Sequence, residues 1–249
     1  MTLRLTRRGL IGGGGALLLS GCDRLSEAPA AKSLMQRAEG LTMRSQRWLM
    51  GDALAREFAE ADMSPVFRAN GSTSVDDAAY RAHAAQGFAR WALVVDGLVK
   101  RPLVLPLAAL KAMPQRRQIT RHDCVEGWSA IGQWQGPQLA QVLAMAGLLP
   151  AARYAVFHCA DRIGGAPYYE SIDLIDAFHP QTILAWQMNG HPLPLEHGAP
   201  LRLRVERQLG YKQAKYVMRI ELVASLASLF GGKGGYWEDA GDYAWYAGI

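Results

Sequence analysis

The spacing of apolar residues changes character several times along the chain, and each change predicts an element. Leu34, Ala38, Leu41, Leu49, Leu54 and Phe58 recur at helical spacing, so residues 33–58 are expected as an amphipathic helix. Residues 64–71, Ser-Pro-Val-Phe-Arg-Ala-Asn-Gly, break that period and read as an ordered loop. Residues 91–95 suit a strand, with Asp96-Gly97 as a hairpin turn into Leu98-Val99. Residues 106–111 suit a short helix stopped by Pro114, and 119–124 alternate as a strand. Gly136-Pro137 is expected to open a helix with Leu139, Val142, Leu143 and Ala146 on one face, ended by Gly147 and Pro150. Residues 154–159 read as a strand. Ser171 is a candidate cap for a short helix through Ala177. Residues 182–188 with Asn189-Gly190 read as a hairpin, and 201–205 and 216–223 alternate clearly.

Strands joined by short turns outnumber the helices, which are few and scattered. The expected class is α+β with mixed sheets, not a doubly wound parallel sheet. With 249 residues the chain can bury a full core without disulfides, and three cysteines exclude a disulfide scaffold or a cysteine-based zinc ribbon. No GxGxxG follows a strand and no GxxxxGK[ST] loop is present, which argues against a dinucleotide site or a P-loop. The net charge is +5, but Arg4, Arg7 and Arg8 lie in the acid-free first 21 residues. The remainder carries only +2, too little for a nucleic-acid footprint.

Those first residues read as an address. Arg7-Arg8 precedes a short, glycine-rich apolar run, the pattern of a twin-arginine signal for export of folded proteins. Leu19-Ser20-Gly21-Cys22 looks like a lipoprotein box, with acylation of Cys22 as the anchor. The alternative is a plain cleaved signal. Folding before export suits a protein that receives a complex cofactor in the cytoplasm. The expected organisation is a signal over 1–21, a tether and helical segment over 22–63 with its Ala/Pro-rich part at 27–32, and a catalytic domain over 64–249. The expected location is periplasmic and membrane-anchored.

Chemistry concentrates in Arg121-His122-Asp123-Cys124-Val125-Glu126-Gly127-Trp128-Ser129, where a cysteine ends a strand beside a tight turn. A thiolate is a soft ligand for a transition metal. From these residues alone, an inert buried cysteine or a disulfide to Cys159 remains open.

The whole segment, followed by Trp134-x-Gly136, resembles the sulfite-oxidase-like family of molybdenum enzymes. The resemblance continues through His158-Cys159-Ala160-Asp161, Tyr168-Tyr169-Glu170-Ser171, His179-Pro180, Gly198-Ala199-Pro200-Leu201-Arg202 and Gly210-Tyr211-Lys212, covering about 64–249. It is nearest to the exported bacterial branch that includes the catalytic subunit of periplasmic methionine sulfoxide reductase.

The resemblance implies the family's molybdopterin-binding fold and a molybdenum-molybdopterin cofactor, with Cys124 as the only protein ligand to the metal. It implies cofactor contacts from Asn70, Cys159, His197, Arg202, Gln213, Ala214 and Lys215, and a substrate-facing Tyr168. Arg202 is expected on the cofactor phosphate, which a guanidinium holds bidentately, with Lys215 and loop N–H groups nearby. Alternation along residues 201–207 sets Arg202, Arg204 and Glu206 on one face, and the plainer reading of that face is a solvated, internally paired one. Sulfite oxidases carry an Arg directly before the pterin-site Asn. Here that position is Ala69, which weighs against sulfite as substrate.

The implied activity is oxygen-atom transfer to or from a small sulfoxide, N-oxide or sulfite-like compound. The chain lacks CxxCH and an iron–sulfur cysteine set, so a separate haem-containing redox partner is expected. Two other classes stay open at this point: a non-catalytic binding lipoprotein on the same fold, and a zinc hydrolase using His122, Cys124 and His158. The aromatic tail, 231–249, is expected to plug the core or to border the pocket mouth.

Overall fold

The structure is a computed structural model and describes residues 28–249. The twin-arginine pair and Cys22 therefore lie outside the described residues. The chain divides into two units, one through Gly51 and one from Asp52 to Ile249.

The described part of the first unit is a single helix, α1 (Pro29–Met50). It takes in part of the expected Ala/Pro tether because Pro29 suits a first helical turn, where its missing N–H is not needed. It stops before Leu54 because Gly51 turns the chain at φ 49°, and the Gly51 N–H returns to the Arg47 carbonyl at 2.9 Å.

The second unit packs three sheets with short helices between them. Its central sheet has the order β2-β1-β11-β5-β6, comprising β1 (Ala92–Gly97), β2 (Leu103–Pro106), β5 (Tyr154–Ile163), β6 (Ala166–Asp173) and β11 (Val217–Val223). The β1–β11 pair is parallel and the others are antiparallel, so the sheet is mixed. A second, antiparallel sheet orders β3 (Gln115–Asp123), β4 (Ser129–Pro137), β8 (Gln187–Met188) and β9 (His191–Pro192). The short strands β7 (Ile183–Ala185) and β10 (Arg202–Arg204) form a separate antiparallel pair. Gly136 lets β7 approach β4: a Cβ there would sit 1.9 Å from the Leu184 carbonyl oxygen.

The helices are α2 (Ala78–Ala85), α3 (Leu107–Ala112), α4 (Leu139–Ala146), α5 (Leu174–Ala177) and α6 (Tyr236–Gly241). In α4 the predicted stripe Leu139, Val142, Leu143 and Ala146 is fully buried, and Gly147 ends the helix at φ 68°. Apolar residues of the central sheet, among them Leu93, Val95, Phe157, Ile172, Ile220 and Leu222, complete one core with α4.

Some local expectations give way to tertiary pairing. Asp96-Gly97 does not turn a hairpin. Both residues extend β1 alongside β11, and the antiparallel partner of β1 begins only at Leu103. Gly136-Pro137 ends β4 instead of opening a helix. Asp173, not Ser171, caps α5, its carboxylate accepting from the Asp176 N–H at 3.1 Å, while Ser171 is an interior residue of β6. Asn189-Gly190 does form the expected turn, with φ of 49° and 80°, between β8 and β9.

Candidate functional site

A cleft opens between the end of β3, the β5–β6 hairpin, the loop before β11 and the C-terminal segment. Five of the candidate residues line it: Asn70, Cys124, Tyr168, Gln213 and Lys215. Glu126, Asp161, Tyr211, Trp237 and Tyr243 line it as well.

Cys124 is the first residue after β3. The Cys124 N–H donates to the Trp128 carbonyl at 2.9 Å, and Gly127 N–H donates back to the Cys124 carbonyl at 3.0 Å. Gly127 at φ 85° makes that turn tight enough to hold the thiol in the cleft wall. Burial pushes the thiol pKa up, opposed by the Glu126 backbone N–H and the Asn70 side chain. The Glu126 carboxylate adds to the upward push. Cys124 and Cys159 are both free, which disposes of the disulfide reading.

Beneath Cys124 an aromatic base forms around Phe67, whose ring lies 5.6 Å from His122, 5.3 Å from Trp134 and 5.8 Å from His197. Gly210 sits directly on His122, since a Cβ would fall 2.4 Å from its Nε2. His122 Nδ1 lies 3.2 Å from Arg204 Nη1. A guanidinium only donates, so Nδ1 accepts and the proton is on Nε2, with the Gln213 side chain as its neighbour. Burial and the Arg204 and Arg202 charges hold His122 neutral, well below the usual histidine pKa.

The face carrying Arg202, Arg204 and Glu206 is not solvated, because all three are at most 3% exposed. Arg204 is internally satisfied, its Nη2 and Nε donating to Glu206 at 2.6 and 2.9 Å. Arg202 has no such partner. It donates to the His197 carbonyl at 3.2 Å and the Gln213 carbonyl at 3.4 Å, lies over Trp134, and leaves Nε unpaired. Burial, followed by repulsion from Arg204, pulls its pKa down to about 9.

Lys215 is held by the carbonyls of Asn70 at 2.6 Å and Glu196 at 2.9 Å, and by that of Ser72. Burial and the Arg202 charge bring its pKa down to about 7. The same two causes, with Lys215 added, lower His197 to about 4. This end of the cleft thus concentrates buried positive charge that no carboxylate neutralises by contact. The orphaned Arg202 Nε is the kind of buried donor that a bound anion completes.

Not every candidate reaches the cleft wall. Arg202, His197 and Ala214 stand behind Gln213 and Lys215. The Ala214 carbonyl is taken by the Leu203 N–H at 2.8 Å. Cys159 packs on the main core, its Sγ 3.8 Å from the Phe157 carbonyl. Tyr168 faces the cleft and donates to the Tyr211 carbonyl at 2.9 Å, whereas Tyr169 stacks on Phe230 at 4.1 Å. Arg68 is exposed and absent from the cleft lining. His158 pairs with Glu221 at 2.9 Å, away from Cys124, and among the described residues no three His, Cys, Asp or Glu side chains converge as a metal site. The zinc set therefore does not assemble.

The tail does both things expected of it: Trp245 Nε1 donates to the buried Ser171 hydroxyl at 2.8 Å, while Trp237 and Tyr243 stack at 5.7 Å as a cleft wall. Asp161 and Tyr211 stand in the motifs that carry the resemblance, without a site role of their own, and Trp237 and Tyr243 in the aromatic tail. For the last two, aromatic residues spaced among glycines were the available signal.

Residues 81–228 match the family model described as an oxidoreductase molybdopterin binding domain. The putative protein-methionine-sulfoxide reductase subunit YedZ1 of Azospira oryzae is 37% identical over 236 residues, covering 94% of this chain and 83% of that protein. The crystal structure of the sulfane dehydrogenase SoxCD from Paracoccus pantotrophus superposes with a TM-score of 0.50 at 24% identity, over 55% of this chain and 39% of that one. That last likeness speaks to the fold, which is the sulfite-oxidase-like one. With the fold, the cleft chemistry and the matched residues in agreement, the chain belongs to the oxidoreductase molybdopterin-binding family and is a molybdenum-cofactor-dependent oxidoreductase.

Proposed function

We propose that the protein reduces a small, uncharged sulfoxide or N-oxide by oxygen-atom transfer at a molybdenum held by Cys124. The observation that carries this reading is a single cleft with a thiol at one end and Lys215 at the other, with buried Arg202 behind Lys215 and no carboxylate in contact with either cation. Those ends suit the two ends of one cofactor, a soft metal and a phosphate.

When bound, the cofactor supplies a metal centre that exchanges two electrons and one oxygen atom. The chain supplies the rest. The Cys124 thiolate would hold the metal, and Asn70, beside the thiol, would meet the pterin. Arg202, Lys215 and the Gln213–Lys215 backbone would hold the phosphate, with His197 as a neutral neighbour and Cys159 in support behind Tyr168. The Tyr168 ring, fixed by its hydroxyl donating to the Tyr211 carbonyl, would shape the substrate end of the cleft.

The net reaction is sulfoxide plus two protons and two electrons giving thioether and water. Glu126 and Asp161 stand in the cleft wall, and Lys215, the one cation among its described lining residues, would be taken by the phosphate. Such a wall repels sulfite and accepts a dipolar S=O group, and Trp237, Tyr243 and Tyr211 offer rings to a thioether sulfur. The printed name of the Azospira oryzae relative, a protein-methionine-sulfoxide reductase subunit, supports both the substrate class and a separate partner. Electrons would come from a haem protein. Twin-arginine export and acylation at Cys22 would place the enzyme on the periplasmic membrane face. No helix among the described residues is long and apolar enough to cross a membrane.

The test is metal and pterin analysis of exported protein, with turnover of methionine sulfoxide and of sulfite measured side by side. Stoichiometric molybdenum with sulfoxide reduction is expected. Faster oxidation of sulfite would overturn the substrate assignment.

A further inference from the structure

Below the aromatic wall, outside the cleft, lies a buried group of three charged side chains. Lys212 Nζ is bonded to one oxygen of Glu170 and one oxygen of Glu238, and all three residues are at most 1% exposed. Two carboxylates against one ammonium leave one negative charge over. The two remaining oxygens, Glu170 Oε1 and Glu238 Oε2, have no partner. Both converge on Gly235: a Cβ there would lie 2.1 Å from each, so the oxygens are at most twice that distance apart.

We infer that Glu170 and Glu238 share a single proton, and that this protonated pair, clamped on Lys212, positions the aromatic wall of the cleft. Two bare carboxylate oxygens facing each other in a dry interior would repel, and a proton between them turns the repulsion into a hydrogen bond. Nothing else nearby supplies the charge. Among the described residues, the other titratable groups coupled to the pair are Tyr168 and Tyr169 from β6 and Cys159 from β5, with Asp161 and Asp239 acting on those in turn, none of them a cation. Trp245 lies over the ammonium at 5.5 Å. Burial, then repulsion from Glu238, shifts Glu170 towards its protonated form despite Lys212.

The clamp joins three segments, each of which carries a cleft residue. Glu238 follows Trp237 on α6, Lys212 stands between Tyr211 and Gln213, and Glu170 is two residues beyond Tyr168. None of the three lines the cleft, so they are positioning residues. The sign of the pH effect follows. A carboxyl whose pKa is raised by folding stabilises the closed arrangement fully at low pH. That contribution is lost as pH rises through the raised value. Above it, α6 is released and Trp237 leaves the wall, so substrate affinity falls while chemistry at Cys124 continues.

The role given to the wall rests on the proposed substrate site; the shared proton does not. Infrared titration of the holoenzyme tests the proton directly. Wild type should show a buried protonated carboxyl band at pH 7, absent in both Glu238→Gln and Glu170→Gln, whose amides supply the missing donor without a titrating proton. With methionine sulfoxide and a reduced viologen dye, wild-type KM should rise about tenfold per pH unit above the transition, with kcat nearly unchanged. In Glu238→Gln the KM should be flat across the same range. Absence of the band in wild type, or a Glu238→Gln profile that still titrates like wild type, refutes the inference. Loss of all methionine sulfoxide turnover in wild type would count against the substrate reading, and the infrared band would still decide the proton.

Discussion

Arg202 is a buried cation waiting for an anion, and removing it should move stability and cofactor binding in opposite directions. Its pKa is drawn from 12.5 to about 9. Each pKa unit is worth about 1.4 kcal/mol, so at pH 7 the cofactor-free fold carries a net cost of about 5 kcal/mol from burial and from repulsion by Arg204. Replacing Arg202 with Met removes that cost and keeps most of the volume. It also forfeits the contact with Trp134 at 4.8 Å, worth about 1 kcal/mol, and leaves the His197 and Gln213 carbonyls without this donor, at about 1 kcal/mol each. The expected net is a cofactor-free Arg202→Met protein about 2 kcal/mol more stable than wild type, in line with other buried charges replaced by apolar groups.

With cofactor the sign reverses. A lost charge-assisted bond of about 1.5–3 kcal/mol weakens pterin binding roughly 10- to 150-fold. Urea unfolding of protein from cells unable to make the pterin reads the first effect. Molybdenum and pterin content of exported protein reads the second. If Arg202→Met were less stable without cofactor and still fully loaded with molybdenum, the guanidinium would be a strut, and the anion assignment would fall.

Cys124→Ser should keep the pterin, change the metal spectrum and lose turnover by orders of magnitude, because a hydroxyl is a hard and poorly ionised ligand. Cys159→Ser should leave the metal spectrum alone, and a changed spectrum would promote Cys159 to a ligand. Lys215, held at about 7 against its ordinary 10.5, must regain a proton to meet a phosphate. Cofactor affinity should therefore be flat below pH 7 and fall by up to about tenfold per unit above it, and Lys215→Arg should flatten the curve. A pH-independent wild type would disconnect Lys215 from the phosphate. Replacing Arg7 and Arg8 by Lys should strand the precursor in the cytoplasm, and Cys22→Ala should release the protein from the membrane fraction or leave it uncleaved. Normal export or an already soluble, unacylated wild type would count against each address in turn.

The amino-acid sequence by itself determined whatever depends on near neighbours. The stripe Leu139, Val142, Leu143 and Ala146 dictated the buried face of α4. Strand alternation sorted residues 201–207 into two sets, and the Cys-Val-Glu-Gly-Trp-Ser turn, with the ordered motifs after it, carried the cofactor class.

Tertiary structure decided what alternation leaves open. Period-two patterning separates two faces of a strand without saying which one meets water. Packing of β10 against β7 and of the Phe67–Trp134 base beneath it buried Arg202 and Arg204 together, which made one a satisfied ion pair and the other an unsatisfied cation. In the same way Asp96-Gly97 has the local chemistry of a turn, but pairing with β11 gains more hydrogen bonds than a two-residue loop would. Trp237 and Tyr243 reach the cleft, and Lys212 meets Glu170 and Glu238, only because segments far apart in the chain converge there. Contacts at such separations leave no period in the sequence to read.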